Sequence, residues 1–358
     1  MSATALRATS LTADPRKAAF ATLTRLDGVV EIRSLSGSTR LITARPNGGK
    51  GTVTTCETTY PLELIKSILE IKGVDWLCDE ISRDQDPRSI QLFFENDFLP
   101  YLRPAEFEGK RILDFGCGSG SSTMVLARMF PRSQIVGVEL SPEYLRIAEE
   151  RLRFYGYSNV TFRLSPEGTS VPSDLGDFDF IVMSAVFEHL LPRERRSVMP
   201  ELWARLKTGG CLLLNQTPHR FFPFESHTTG LPFINYLPDR LAHFVARRFS
   251  SRELLHESWE SLLRKGIRGA SEREILKSLG NQVPDSRPTL LRPRRPGYRD
   301  RIDVWYAALS PRHRALKATC REFLRVIERR LGTTLVVNLA LVIGKGTGED
   351  GEGACAAR

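Results

Sequence analysis

A short apolar run that ends in three alternating glycines constrains this chain more than any other feature. Residues 111–115 read Arg-Ile-Leu-Asp-Phe, a compact apolar pattern typical of a short buried parallel strand. Gly116, Gly118 and Gly120 follow, and residues 121–130 have helical character. Glycine lets the backbone turn sharply and approach a ligand closely. The order of strand, glycine turn and helix predicts an open α/β sheet that binds its ligand at the carboxyl ends of the strands.

The glycine spacing and one acidic residue downstream narrow the kind of cofactor. The dinucleotide-binding fingerprint has a glycine at its sixth position, and that position, counted from Gly116, is Ser121. Glu139 ends the next predicted strand, 134–138, where one carboxylate can accept hydrogen bonds from both hydroxyls of a ribose. A turn with no evident cradle for two phosphates, together with this acid, favours an adenosine cofactor without a pyrophosphate.

These residues resemble the class I, Rossmann-like S-adenosylmethionine-dependent methyltransferases, and within them the type 11/12-like small-molecule group. The resemblance covers residues 110–220, in which the run 114–120, the strand 178–184 and the segment 206–218 follow the family's order. It implies S-adenosyl-L-methionine as the cofactor. It also implies these cofactor-binding residues: Asp114, Phe115, Gly116, Cys117, Gly118, Gly120, Glu139, Leu140, Glu167, Gly168 and Ser184.

The resemblance also assigns a part of the cofactor to each of these groups. The glycine loop takes the amino acid part, Asp114 meets its ammonium group, and Glu139 holds the ribose. Glu167 stands where many relatives carry an aspartate that accepts from the adenine amino group. Because the residue type differs from the usual one, Glu167 can also be read as an exposed loop acid.

The pair Glu188 and His189 resembles a Glu-His pair found in many relatives. A neutral imidazole is suited to take a proton near pH 7, so His189 and His219 are the candidate general bases. In certain relatives this pair binds a divalent metal, together with an earlier glutamate and a later histidine. The earlier glutamate falls at Ala185, which cannot ligate, so we assign no metal and leave open whether Glu188, His189 and His227 bind one. A role for His189 in packing alone is also left open.

A second polar stretch, residues 215–238, begins at the predicted carboxyl edge of the sheet and is dense in proline, histidine and aromatic residues. Loops at that edge often carry function. We expect it to line an acceptor pocket through His219, Arg220, Glu225, His227 and Tyr236, with a water-excluding wall formed by Phe221, Phe222, Phe224 and Phe233. The alternative is a rigid lid that the histidines only brace.

The predicted fold class is α/β. We expect a doubly wound, Rossmann-like seven-stranded sheet with an N-terminal helical extension and a helical cap inserted before the last strand. The segments are a flexible or weakly structured N-terminus with one small hairpin (1–55), a helical extension (56–108), the cofactor-binding core (109–217), a substrate cap (218–310), the final helix and strand (311–346) and a disordered tail (347–358).

Composition limits the classes of partner. The longest apolar runs are too short to predict a membrane span. The six cysteines form no CxxC pair, which fits reduced thiols in the cytoplasm better than a disulfide framework or zinc site. The net charge of +9 is concentrated in residues 264–301, where 11 lysines and arginines face four acids. We read this segment as a solvated surface, because no nucleic-acid motif accompanies it.

The sequence therefore predicts a methyltransferase that O-methylates a small molecule, a glycan or a lipid-linked acceptor. Two alternatives stay open: an RNA methyltransferase that uses the basic segment, and a non-catalytic relative that only binds the cofactor. The acceptor and the oligomeric state are not specified by the sequence.

Overall fold

The computed structural model describes residues 7–8, 20–47, 51–280, 287–309 and 314–346. Its strands are β1 (Arg7–Ala8), β2 (Phe20–Arg25), β3 (Gly28–Ser34), β4 (Arg40–Pro46), β5 (Thr54–Thr58), β6 (Arg111–Phe115), β7 (Gln134–Glu139), β8 (Val160–Leu164), β9 (Phe178–Ser184), β10 (Leu206–Pro218), β11 (Phe224–Glu225), β12 (Leu231–Pro232), β13 (Pro288–Leu290) and β14 (Asn338–Lys345). Its α-helices are α1 (Leu62–Lys72), α2 (Leu77–Gln85), α3 (Ile90–Asp97), α4 (Ser121–Met129), α5 (Pro142–Tyr155), α6 (Pro192–Arg205), α7 (Asp239–Phe249), α8 (Trp259–Arg264), α9 (Glu272–Leu279), α10 (Arg301–Ala308) and α11 (Arg314–Leu331). Within these described residues no helix is both long enough and apolar enough to cross a membrane.

The central sheet has seven strands in the order β13-β14-β10-β9-β6-β7-β8. Strand β6 pairs in parallel with β7 and with β9, and β9 pairs in parallel with β10. Strand β14 runs antiparallel to both β10 and β13. The strand order reverses at β6, because β7 and β8 extend the sheet on one side and β9 and β10 on the other. The predicted doubly wound, seven-stranded α/β fold is confirmed, and β6 lies at its topological switch point.

The chain divides into two compact units that interleave in sequence. The first contains residues 1–93, 118–129 and 141–162, and the second contains residues 94–117, 130–140 and 163–358. The predicted segments do not coincide with these units, because the chain passes from one to the other several times. In the second unit, apolar residues of the strands pack with Trp203 of α6 and Ile275 of α9.

The first unit contains a five-stranded antiparallel sheet that our sequence analysis missed. Strands β1 to β5 pair in chain order, and the predicted hairpin over 29–32 and 40–43 is its β3–β4 pair. The expectation of a flexible or weakly structured 1–55 segment is therefore wrong for residues 20–47 and 54–55. Val30 and Ile42 are buried on one face and join a core with Ile65 and Ile68 of α1. Polar residues alternate with these positions and hid the strands from a search for apolar runs.

Several predicted boundaries also differ from the structure. Residues 251–265, predicted as one helix, contain only α8, which begins after the capping residue Ser258. Helix α6 ends at Arg205, and the predicted closing turn at 208–210 is part of β10, where the pairing with β9 is irregular. The predicted loop 285–301 contributes β13 to the sheet, and residues 302–309 fall mostly in α10. The predicted disordered tail, 347–358, lies outside the described residues.

A buried arginine organises the first unit. We expected an apolar stripe of Leu145, Ala148 and Leu152 on α5, but the buried positions there are Ile147, Ala148 and Arg151. The Arg151 guanidinium donates to the Glu80 carboxylate at 3.0 Å, to the backbone oxygen of Ser119 at 2.7 Å and to the Tyr60 hydroxyl at 3.1 Å.

The Glu80 carboxylate is the main charge partner of this arginine. Burial alone would raise the pKa of Glu80, but the positive charges of Arg151 and Lys72 lower it to about 2. The same carboxylate accepts hydrogen bonds from the hydroxyls of Ser119 and Ser121. A charge this deeply buried is tolerated only because it is paired and hydrogen-bonded.

We predict that Arg151→Met lowers the free energy of unfolding by about 3–5 kcal/mol, because it leaves buried carboxylates without their cation. Chemical denaturation measures this change. Arg153→Met is the matched control, since Arg153 lies on the same helix but is exposed. Equal losses in the two variants would show that the buried network contributes no special stability.

Candidate functional site

The glycine turn begins at the carboxyl end of β6 and is held by the neighbouring strand. The backbone N–H groups of Gly116 and Cys117 both donate to the backbone oxygen of Val138, at 2.8 and 3.0 Å. Glu139 follows Val138 directly, and Asp114 is buried opposite Gly137 in the β6–β7 register. The structure therefore brings Asp114, the start of the turn and Glu139 to the same edge of the sheet.

The conformation of the turn requires glycine. Gly116, Gly118 and Gly120 have φ angles of 72°, 56° and 84°, in the left-handed region that other residues rarely adopt. A Cβ on Gly116 would lie 2.8 Å from Val186, and a Cβ on Gly120 would lie 2.7 Å from Ala148. The three glycines thus serve the backbone conformation, and two of them also allow close packing.

The segment with the predicted adenine contact lies beside Glu139. The backbone N–H of Ser165 donates to the backbone oxygen of Glu139 at 2.7 Å. The side chain of Glu139 accepts from the N–H of Leu140 at 2.8 Å. Glu167 is exposed and accepts from the Thr169 hydroxyl at 2.7 Å, and Gly168 follows it. The exposure of Glu167 agrees with either reading of this residue, as an adenine contact or as a loop acid.

The carboxyl ends of β9 and β10 form a second part of this edge. Ser184 pairs with Asn215, and the N–H of the following Ala185 donates to the Asn215 backbone oxygen at 3.0 Å. Ala185 and Gln216 have φ angles of 55° and 61°, in the left-handed region although neither is glycine. The pairing of β10 with β14 shifts register between Leu214 and Thr217. Strained residues and bulges of this kind cluster at functional sites.

Glu188, His189 and His227 lie together near this edge, with one ligand atom from each within 4.8 Å of the others. The ring Nδ1 of His189 is 2.7 Å from the backbone oxygen of Arg264, which can only accept, so Nδ1 carries the proton and Nε2 is free to act as a base. His189 Nε2 is 3.7 Å from Glu188 Oε1. This oxygen is buried and has no hydrogen-bond partner within the described part of the chain.

The electrostatics of this group follow from burial. Burial raises the pKa of the Glu188 carboxyl, although His189, the hydrogen bond from Thr217 and Arg195 oppose the rise. The pKa of His227 is lowered, first by burial and then by the charge of His189. The cluster can therefore accept a proton or hold a cation, and its three residues are those that could bind a metal.

The second predicted base, His219, has a structural role instead. It is buried, its Nδ1 accepts from the N–H of Phe221 at 3.1 Å, and its Nε2 lies 3.1 Å from the Thr333 hydroxyl. Both ring nitrogens are therefore occupied. Burial, aided by the nearby charge of Arg301, lowers the pKa of His219 to about 4. With neither ring nitrogen free, this arrangement does not favour His219 as a general base, and that role stays a prediction.

We predict that His219 stays neutral down to about pH 5, because its folded pKa lies below the ordinary value for histidine. The unfolded chain binds this proton more readily, so the residue's contribution to stability falls as the pH drops from about 6.5 towards 4. NMR titration of the ring protons, assigned by comparison with His219→Asn, measures this. A midpoint near pH 6.5 would contradict the assignment.

The stretch 215–238 also differs from the predicted acceptor pocket. The Glu225 carboxylate accepts from the backbone N–H groups of residues 227, 228 and 229, so it organises its own loop. The Tyr236 hydroxyl donates to the backbone oxygen of Phe221. Three of the predicted wall residues are exposed, by 41% at Phe221, 46% at Phe224 and 62% at Phe233. They do not form a water-excluding wall in this conformation.

A model of the methyltransferase domain family matches residues 112–210, which contain the glycine turn, Glu139 and the carboxyl end of β9 but not that of β10. This part of the chain therefore resembles a methyltransferase domain. The match confirms S-adenosylmethionine, the cofactor that the glycine turn and Glu139 predicted.

Curated relatives resemble this methyltransferase domain over part of their length. Trans-aconitate 2-methyltransferase from Variovorax paradoxus is 34% identical over 116 residues, which cover 32% of this chain and 42% of that protein. Demethylmenaquinone methyltransferase from Lactococcus lactis is 26% identical and covers 52% of this chain and 75% of that protein. Another trans-aconitate 2-methyltransferase, from Afipia carboxidovorans, is 33% identical over a match that covers 49% of this chain and 62% of that protein. The chain thus spans less than two thirds of both trans-aconitate enzymes.

Among solved structures, the match to PKMT2 from Rickettsia typhi covers 72% of this chain and 55% of the PKMT2 chain. The two are 15% identical, with a TM-score of 0.43. A likeness of this size supports no inference about function.

Proposed function

We propose that this protein transfers the methyl group of S-adenosylmethionine to an oxygen of a small-molecule, glycan or lipid-linked acceptor. The observation that carries the proposal is the left-handed glycine turn at the switch point of the sheet, hydrogen-bonded to the strand that ends in Glu139. This turn lies in the matched methyltransferase domain. The proximity of Ser165 to Glu139 adds support for a single binding edge.

The cofactor supplies the reactive methyl group as a sulfonium, so the protein's task is to bind it, orient it and exclude water. In this proposal the backbone of Gly116, Gly118 and Gly120 lies against the amino acid part, and Asp114 faces its ammonium group. Glu139 accepts from the ribose hydroxyls. Glu167 faces the adenine amino group, with Phe115, Cys117, Leu140, Gly168 and Ser184 completing the contacts.

We predict that Glu139→Ala weakens S-adenosylhomocysteine binding by roughly 10- to 100-fold, because a hydrogen-bonding carboxylate is lost. Isothermal titration calorimetry measures the affinity. Transfer of a labelled methyl group to fractions of a cell extract measures the activity, which should fall in parallel at low cofactor concentration. Glu149→Ala, at an exposed position of α5, is the control. Undiminished binding in Glu139→Ala would show that the cofactor placement is wrong.

We assign the general base to His189. Its Nδ1–H is held by the backbone oxygen of Arg264, so the Nε2 lone pair is available for the proton of an attacking hydroxyl. The buried Glu188 carboxylate lies 3.7 Å from this nitrogen and would stabilise the imidazolium that forms. His189 is partly exposed, which leaves room for an acceptor to approach.

The same geometry supports a second role for this cluster, that of a metal site. A histidine that ligates a metal commonly donates its other ring N–H to a carbonyl, as His189 does here. Glu188 Oε1 and His227 would complete a set of three ligands, because that oxygen has no other partner among the described residues. A divalent metal bound there would polarise an acceptor oxygen. His189 Nε2 cannot take a proton and ligate a metal at the same time.

We predict that His189→Gln lowers turnover by roughly 10²- to 10⁴-fold while the affinity for S-adenosylhomocysteine is unchanged. Steady-state kinetics and calorimetry measure the two effects. His243→Gln is the control, since His243 is partly buried, hydrogen-bonds a backbone oxygen and lies near the Trp259 ring, away from the Glu188–His189–His227 cluster. Retained turnover in His189→Gln would rule out the base role.

Titration of the wild-type protein with Co²⁺ separates the two roles. The base role predicts no cobalt absorption band and full activity in the presence of a chelator. A band that disappears in His189→Gln and His227→Gln, with activity lost to the chelator, would favour the metal role.

The RNA alternative receives less support from the structure. Five of the basic residues in 264–301, namely Arg264, Lys265, Arg268, Arg294 and Arg301, form ion pairs with acidic side chains. Paired charges contribute less to the attraction of a phosphate backbone than free ones.

The non-catalytic alternative predicts binding of the cofactor without methyl transfer to any fraction of the extract.

A further inference from the structure

An aspartate that our sequence analysis did not single out lies at the carboxyl edge of the sheet. Asp97 is the last residue of α3 and is half-buried. Its Oδ2 accepts a hydrogen bond of 2.8 Å from the side-chain amide of Asn215. Asn215 in turn pairs with Ser184, at a strand end where the resemblance predicts a contact with the cofactor. Asp97 is therefore anchored beside the strand ends at which the methyl acceptor would bind.

The second polar atom of Asn215 has no partner. Asn215 is fully buried, and its Oδ1 makes no hydrogen bond in the described part of the chain. Buried polar side-chain atoms are nearly always satisfied, so this oxygen is open to a donor that the described part of the chain does not supply. The amide orientation is set by Asp97, because the carboxylate can only accept when ionised and so must face the NH₂ group.

The local backbone explains why these two side chains stand together. The β10 strand departs from regular pairing with β14 between Leu214 and Thr217, a stretch that contains Asn215, and Gln216 adopts the left-handed conformation there. A bulge of this kind re-aims the side chains next to it. The strain at Gln216 is maintained by the surrounding pairing, since the N–H of Ala185 still donates to the Asn215 backbone oxygen.

We propose that Asp97 and Asn215 form the recognition site for a hydrogen-bond donor group of the methyl acceptor. This inference rests on the proposed methyltransferase function and specifies its substrate class. The site offers the remaining lone pairs of one carboxylate and one amide oxygen, and both atoms only accept. It fits a hydroxyl or amine, and it repels a carboxylate. The acceptor is thus a neutral or cationic molecule at this end, unlike the tricarboxylate named in two of the relatives.

The charge state of Asp97 agrees with this assignment. Burial raises the pKa of its carboxyl to about 6, although the hydrogen bonds from Asn215 and Gln216 oppose the rise. The group is therefore mainly ionised at neutral pH and accepts from a donor. Apart from burial, the groups that shift its pKa are the neutral side chains of Asn215 and Gln216.

The test uses the full chain with S-adenosylhomocysteine bound. Saturation-transfer NMR measures the contact of three probes that differ in charge: ethanolamine, glycerol and citrate. We expect contacts for ethanolamine and glycerol that weaken roughly tenfold or more in Asp97→Asn, because a charged hydrogen-bond acceptor is lost. We expect no contact for citrate. Asp174→Asn, at an exposed aspartate, is the matched control.

A double variant separates recognition from folding. Asp97→Asn combined with Asn215→Asp restores one amide and one carboxylate, and we expect it to recover part of the ethanolamine contact. Contact with citrate alone, or unchanged ethanolamine contact in Asp97→Asn, would overturn the proposal. Calorimetry measures the binding of S-adenosylhomocysteine separately. A loss of cofactor binding would contradict the proposed function and would leave the Asp97 site to be judged from the probe contacts.

Discussion

The parallel pairing of β6 with β7 is the interaction on which the candidate site depends. It places the Val138 backbone oxygen where two successive N–H groups of the glycine turn can reach it. The same register sets Glu139 one residue beyond the turn's anchor and buries Asp114. Because glycine alone tolerates the resulting φ angles at low cost, the sequence of the turn follows from this pairing.

The second constraint on the candidate site is the electrostatic environment of its acidic side chains. Each acid near the strand ends has a different environment, and its environment decides its role. Glu139 stays accessible to a ligand, whereas Glu188 is buried beside a histidine. Asp97 is tied to a buried amide that keeps one oxygen unsatisfied. In the roles that we propose, burial therefore separates the groups that recognise a ligand from the group that assists proton transfer.

The part of the fold that sequence could predict is the part with local signals. The run at 111–120 predicted β6 to the residue, and α5 carries equally local signals, since Ser141 caps its start and the left-handed Gly156 ends it. Of the β1–β5 sheet only the β3–β4 hairpin was predicted, because these strands bury only about every second residue and carry polar residues such as Glu31 and Thr43 between the buried ones.

For the site, motif order predicted that Asp114, the glycine turn and Glu139 lie at one edge of the sheet, but it did not predict the partners of single side chains. His219 and Asp97 owe their character to partners far away in sequence, Thr333 and Asn215. No local pattern around residue 97 distinguishes it from an ordinary acid at the end of a helix. Likewise, the buried Arg151 occupies a position that helical periodicity assigns to an apolar residue.

Calorimetry of the wild-type protein with two adenosine ligands tests the central claim most directly. The account predicts saturable heat with S-adenosylhomocysteine and none with a nicotinamide dinucleotide, because the turn lacks the sixth-position glycine and a cradle for two phosphates. Binding of the dinucleotide, with no signal from S-adenosylhomocysteine, would contradict it.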